Sequence, residues 1–144
     1  MELKTILLAE DNPRDVELTL EALNDFNLIN QVIVVNDGVQ ALEYLRCEGK
    51  YKDRNPGFPA VVLLDIKMPR MDGIEVLRAI RNDQQLKMLP VVMLTSSREE
   101  QDLIKTYELG VNAYVVKPVN FKEFIEAIKL LGGFWALINE RPLK

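Results

Sequence analysis

The 144-residue chain contains no histidine. That absence excludes Ser-His-Asp and Cys-His nucleophilic catalysis, zinc centres built on imidazole, and a phosphohistidine on this chain. The single cysteine, Cys47, cannot form an internal disulfide and fits a reducing cytoplasm. Positive charge does not predominate. Lys and Arg number 18 against 22 Asp and Glu, a net charge of −4 and a pI near 5.0, which argues against non-specific nucleic-acid binding. Long hydrophobic runs are missing too: the apolar stretch Ile6 to Ala9 is cut off at once by Glu10 and Asp11, far short of a signal or membrane segment. There is no internal repeat and no low-complexity segment. These absences lead to the expectation of a soluble cytoplasmic protein that binds neither nucleic acid nor membrane.

Apolar residues make up 48% of the chain and charged residues 28%, ordinary values for one globular domain with one core. Five short apolar runs recur: Thr5 to Ala9, Val32 to Val35, Ala60 to Leu64, Pro90 to Leu94 and Ala113 to Val116. They are rich in Val, Ile and Leu and do not alternate with polar residues, the pattern of parallel strands covered on both faces. Helical stripes lie between them. Val16, Leu20 and Leu23 form one; Val39, Leu42 and Leu45 a second; Ile74, Leu77 and Ile80 a third. Leu103, Ile104 and Tyr107 make a fourth, and Phe121, Phe124, Ile125 and Ile128 a fifth. Strand alternating with helix predicts a three-layer α/β fold.

Punctuation agrees with these boundaries. Asn12-Pro13 reads as an N-cap followed by proline at the first helical position, and Asp72-Gly73 as another helix start. Gly110 marks a helix end. Residues Arg46 to Pro59 form a long, basic connection before the third strand. The expected division is a domain over residues 1–133 and a short apolar tail over 134–144, too small for an output domain.

In open α/β sheets ligands bind outside the carboxyl ends of the strands. The first run ends in Glu10-Asp11, the third in Asp65, the fourth in Thr95 and the fifth in Lys117-Pro118. Taken singly, each has a plain structural role. Glu10 and Asp11 suit the dipole of the following helix, Asp65 a turn, Thr95 a helix cap, and Lys117 a solvated surface. Taken together, three carboxylates on one rim repel one another, raise each other's pKa values and call for a cation. Oxygen ligands without His or Cys suit Mg²⁺, with waters and a phosphoryl group completing its shell. A carboxylate can also act as a nucleophile and carry an aspartyl-phosphate. Asp65, on the central strand, is the natural acceptor. Glu10 and Asp11 bind the metal, Lys117 grips a phosphoryl oxygen, and Thr95 donates a hydrogen bond to it.

At these residues the chain resembles the response-regulator receiver domains of two-component signalling. The matching pieces are Ile6 to Asn12, Leu63 to Gly73 with its Asp-x-x-Met-Pro-x-Met-Asp-Gly pattern, Val92 to Thr95, and Tyr114 to Pro118. The resemblance implies a flavodoxin-like fold with strand order 2-1-3-4-5. It implies that Asp65 accepts a phosphoryl group from the phosphohistidine of a sensor histidine kinase. It also implies that Mg²⁺ is bound by Asp11, Asp65 and the backbone carbonyl of Lys67, with Glu10 acting largely through water. Such a domain signals by contact rather than acting as an enzyme, though it assists its own phosphorylation and dephosphorylation. In its loop 46–59 and its Phe134-Trp135 tail the chain is similar to stand-alone receivers serving bacterial phytochromes.

Other classes fit less well. Haloacid-dehalogenase-like phosphatases place a second Asp two residues beyond the nucleophile, whereas here Glu10 and Asp11 are adjacent. A flavin site needs Gly, Ser or Thr where Glu10-Asp11 stand. A binding module independent of phosphorylation has no need of Asp65, Thr95 and Lys117 together. Two further expectations follow. Tyr114, whose plain role is strand packing, is by the resemblance a switch partner of Thr95. Phe134, Trp135, Leu137 and Ile138 would contribute to a homodimer, unless they fold back over their own core.

Overall fold

A computed structural model of the chain describes residues 5–24, 32–95, 110–111 and 113–130. The expected helix around Leu103 to Tyr107 and the tail 134–144 lie outside the described residues. Strands β1 (Ile6–Ala9), β2 (Val32–Val35), β3 (Val61–Asp65), β4 (Val91–Thr95) and β5 (Ala113–Val116) form one parallel sheet in the order β2-β1-β3-β4-β5. The predicted flavodoxin-like order is therefore observed. Helices α1 (Pro13–Asn24), α2 (Gly38–Arg46), α3 (Gly73–Asn82) and α4 (Phe121–Leu130) cover it.

Strand alternation sorts the core into two layers. Leu7, Ala9, Val62, Leu64, Val91 and Met93 pack with residues of α2 and α3, including Leu42, Leu45, Leu77 and Ile80. Ile6, Leu8, Leu63, Val92, Leu94 and Val115 pack on the opposite face with Leu23 of α1 and Phe124 and Ile125 of α4. Central strands buried on both faces cannot afford polar residues until they reach the rim. That is why β1, β3 and β4 read as unbroken apolar runs.

Two details differ from expectation. Asp65 and Thr95 are the last residues of β3 and β4 rather than the first residues beyond them, because the ladder continues through Asp65↔Leu94 and Thr95↔Val116. On α1 the buried positions are Thr19, Ala22 and Leu23, with Val16 and Leu20 only half-buried. A threonine on the inner stripe escapes a pattern built on apolar letters.

The connection after α2 is ordered by its own contacts. It includes a short 3₁₀ turn, Gly49–Tyr51. The Arg54 guanidinium stacks 4.0 Å from the Tyr44 ring and donates to the carbonyls of Tyr44, Asn55 and Gly57. Among the described residues no helix is long and apolar enough to cross a membrane.

Candidate functional site

Parallel register builds the site. Ala9 pairs with Leu64, so Glu10 and Asp65 emerge side by side at the carboxyl end of adjacent strands. Thr95 pairs with Val116, so Lys117 follows directly beside it, its backbone N–H bonded to the Thr95 carbonyl at 2.6 Å. Four strands thus deliver their terminal polar residues to one rim, as the strand-end reading expects.

The side chains then converge. Lys117 Nζ lies 2.9 Å from Glu10 Oε1, 2.9 Å from Asp15 Oδ2 and 3.2 Å from Asp65 Oδ1. Glu10 is fully buried; its second oxygen accepts from the Asn12 backbone N–H at 3.1 Å. Both of its oxygens are therefore engaged within the protein. Burial, with the neighbouring Asp65 charge adding to it, pushes the Glu10 carboxyl up to about 7 despite its bond to Lys117. Burial likewise raises Asp65, with Lys117 opposing the shift and Asp11 adding to it. Burial on its own would lower Lys117. Its bonds to Asp15 and Glu10 and the charge of Asp65 outweigh that and hold the ammonium above its ordinary range.

The loop from β3 to α3 carries Lys67, whose side chain is exposed two residues beyond Asp65. Asp72 ends this loop as the N-cap of α3 in a reciprocal capping box with Glu75, at 2.9 Å and 3.2 Å. The Gly73 N–H donates to the Ile66 carbonyl at 2.7 Å, and a Cβ at Gly73 would run into the backbone carbonyl of Asp65. Only glycine lets the helix start this close to the end of β3. Asn12 caps α1 in the expected way, its side chain accepting from the Arg14 and Asp15 backbone N–H groups.

Thr95 is buried at the rim. Tyr114 pairs with Met93, two residues before Thr95, and is 39% exposed. The two therefore share one face of the sheet at diagonal positions. Sequence reasoning missed Asp15, because an acid in the first turn of a helix reads as no more than a partner for the helix dipole. It also missed Asp37 and Arg70, whose ion pair spans separate loops.

Glu10, Asp11 and Asp65 each offer a carboxylate oxygen, all within 4.8 Å of one another. An all-oxygen anionic set of this size fits a hard divalent cation. The arrangement defines a class: a doubly wound α/β domain whose rim joins a cation-type acid cluster to a buried ammonium and a hydroxyl.

The response regulator receiver domain model matches residues 6–129. Response regulator Rcp1 from Synechocystis is 39% identical over 132 residues, covering 92% of this chain and 88% of that protein. A structure of Mn²⁺-bound Rcp1 is 36% identical with a TM-score of 0.74, covering 98% of this chain and 99% of that one. The bacteriophytochrome response regulator AtBRR is 60% identical with a TM-score of 0.88, covering 97% and 100%. The phosphorylated cyanobacterial phytochrome response regulator RcpA is 39% identical with a TM-score of 0.77, covering 94% and 95%. The chain belongs to the response regulator receiver domain family. It is a phosphoacceptor of two-component signalling, similar to regulators that serve phytochromes.

Proposed function

We propose that Asp65 receives a phosphoryl group from the phosphohistidine of a sensor histidine kinase. The observation that carries this reading is the meeting of Glu10, Asp65 and Lys117 within hydrogen-bonding range at the strand ends. An Asp65 oxygen forms a bond to phosphorus as the bond from phosphorus to the donor's imidazole nitrogen breaks, the electron pair leaving with that nitrogen. Lys117 turns a proton of its ammonium toward a phosphoryl oxygen, and Thr95 donates its hydroxyl proton to another. Asp11, Asp65 and the Lys67 carbonyl would hold Mg²⁺, with Glu10 acting largely through water; the ion supplies charge neutralisation for the incoming phosphoryl oxygens. The same groups assist hydrolysis of the aspartyl-phosphate, so the domain tunes its own lifetime in the signalling state.

The kinship with bacteriophytochrome response regulators supports a phytochrome-type kinase as the donor, and a cytoplasmic location. We also read residues 1–133 as the receiver unit and the apolar stretch 134–144 as a contributor to a homodimer. Removing residues 134–144 should weaken self-association and spare labelling of Asp65. Sedimentation showing a monomer with and without fluoroberyllate at tens of micromolar, where a micromolar dimer is populated, would reject the dimer.

The test of the acceptor is Asp65→Asn. Incubated with Mg²⁺ and acetyl phosphate, the wild-type chain should gain the mass of one phosphoryl group and the variant none, with the fold unchanged by circular dichroism. Undiminished labelling of the variant would reject Asp65.

A further inference from the structure

We infer that Asp15 is a positioning residue for phosphoryl transfer, holding the Lys117 ammonium at the acceptor when a divalent cation has taken up the charge of the other acids. This rests on the reading of Asp65 as the acceptor.

An ammonium has three protons to donate. Lys117 lies against three carboxylates: Glu10 of β1's end, Asp15 of α1 and Asp65 of β3. Two of these change during the reaction. Asp65 becomes an acyl phosphate, so its oxygen near Lys117 loses its charge to the phosphoryl group. Glu10 and Asp65 also belong to the acid cluster, and a dication bound there compensates their charge while repelling the ammonium. Asp15 lies outside that cluster. Of the three partners it alone keeps an uncompensated charge with which to retain Lys117.

Asp15 is built for this. It is the third residue of α1, behind Pro13, and its backbone N–H is tied to the Asn12 side chain at 3.3 Å. Its carboxylate is 26% exposed, whereas the Lys117 side chain is only 9% exposed. An acid at that place also suits the helix dipole. That role would bear on helix stability and leave the chemistry untouched.

During transfer the Lys117 proton facing Asp65 turns to a phosphoryl oxygen, while those on Asp15 and Glu10 stay where they are. Without Asp15 the ammonium would hang on a charge-compensated Glu10 and drift from the phosphoryl group.

The experiment uses the full chain with Asp15→Ala, Asp15→Asn and Lys117→Ala. It measures Mg²⁺ affinity by calorimetry without donor, then fluoroberyllate affinity at saturating Mg²⁺, then the labelling rate at saturating acetyl phosphate. Asp15→Ala should weaken fluoroberyllate binding and slow saturated labelling by about tenfold, the scale of one charge-assisted hydrogen bond, with a smaller change in Mg²⁺ affinity. Asp15→Asn keeps the acceptor oxygen without the charge, folds in the same backbone, and should fall between. Wild-type values in both Asp15 variants would overturn the inference, as would a loss of Mg²⁺ affinity that matches the fluoroberyllate loss. If Lys117→Ala is impaired and the Asp15 variants are not, only this inference fails. A Lys117→Ala chain that labels like wild type removes the reading of the site as well.

Discussion

Arg70 and Asp37 are joined through a single carboxylate oxygen: Nε and Nη2 of Arg70 lie 3.0 Å and 2.8 Å from Asp37 Oδ2. Asp37 is the N-cap of α2, its other oxygen accepting from the Gln40 N–H at 2.8 Å, and Arg70 sits in the loop between β3 and α3, after Asp65. The pair therefore ties the loop after Asp65 to the start of α2. Arg70 adopts a left-handed backbone with φ of 66°, a conformation that costs a non-glycine residue about 1 kcal/mol.

Arg70→Ala removes the clamp but keeps the left-handed backbone; Arg70→Gly removes both. The alanine variant should lose about 1 kcal/mol of stability, and the glycine variant less, by a difference of similar size. Urea midpoints check this. An alanine variant as stable as the glycine variant would deny the strain.

Asp37 supplies an acid-side test. Burial alone would raise its carboxyl, but the Gln40 N–H and the Arg70 guanidinium outweigh burial and hold it below its ordinary value. A depressed carboxyl stabilises the fold above its unfolded pKa, and that stability is lost as pH falls through the folded value. Asp37→Asn should therefore flatten the acid limb of the unfolding profile. An unchanged limb would exclude this pair as a contributor.

Gly73→Ala should displace the end of β3, since its new Cβ meets the Asp65 carbonyl. A loss of about 1–3 kcal/mol is expected, together with slower labelling of Asp65. Wild-type labelling and stability would show that α3 can back away freely.

Glu10 predicts a pH dependence opposite in sign to that of Asp37. Its carboxyl is raised from 4.5 to about 7, so its charged form disfavours the metal-free fold, and its contribution to stability falls as pH rises across that window. Cation binding needs the charged form. Mg²⁺ affinity should rise with pH below 7, by about tenfold per pH unit for the proton that Glu10 gives up and more where Asp65, also raised, gives one up too, and then level off. Calorimetry in buffers of different ionisation enthalpy measures the protons released. Affinity independent of pH between 5 and 8 would contradict the coupling.

Thr95 and Tyr114 share a sheet face, and Tyr114 is partly exposed where Thr95 is buried. If Thr95 turns toward the phosphoryl group, Tyr114 can follow into the space it leaves. Thr95→Ala should accept a phosphoryl group yet leave the Tyr114 ring resonances as in the unphosphorylated chain. Phosphorylation shifts equal to wild type would sever the link.

The order of apolar runs and helical stripes sufficed to foretell a parallel sheet and to put Glu10, Asp11, Asp65, Thr95 and Lys117 on one rim. That inference is robust because a strand buried on both faces tolerates polar groups only at its end, so the end is visible in the letters themselves. Asn12 and Asp72 were legible for the same local reason: a cap bonds to backbone two or three residues away. Asp15, Asp37 and Arg70 were not. Charged residues in a first helical turn or a loop look like ordinary solvated surface until tertiary packing brings Lys117 from 102 positions away, or Arg70 from 33. The sequence alone determined which residue types stand at the strand ends. Only the tertiary structure decided that Glu10 is sealed from water and that Lys117 is shared among three carboxylates, because burial and long-range charge pairing arise from chain segments that no local pattern connects.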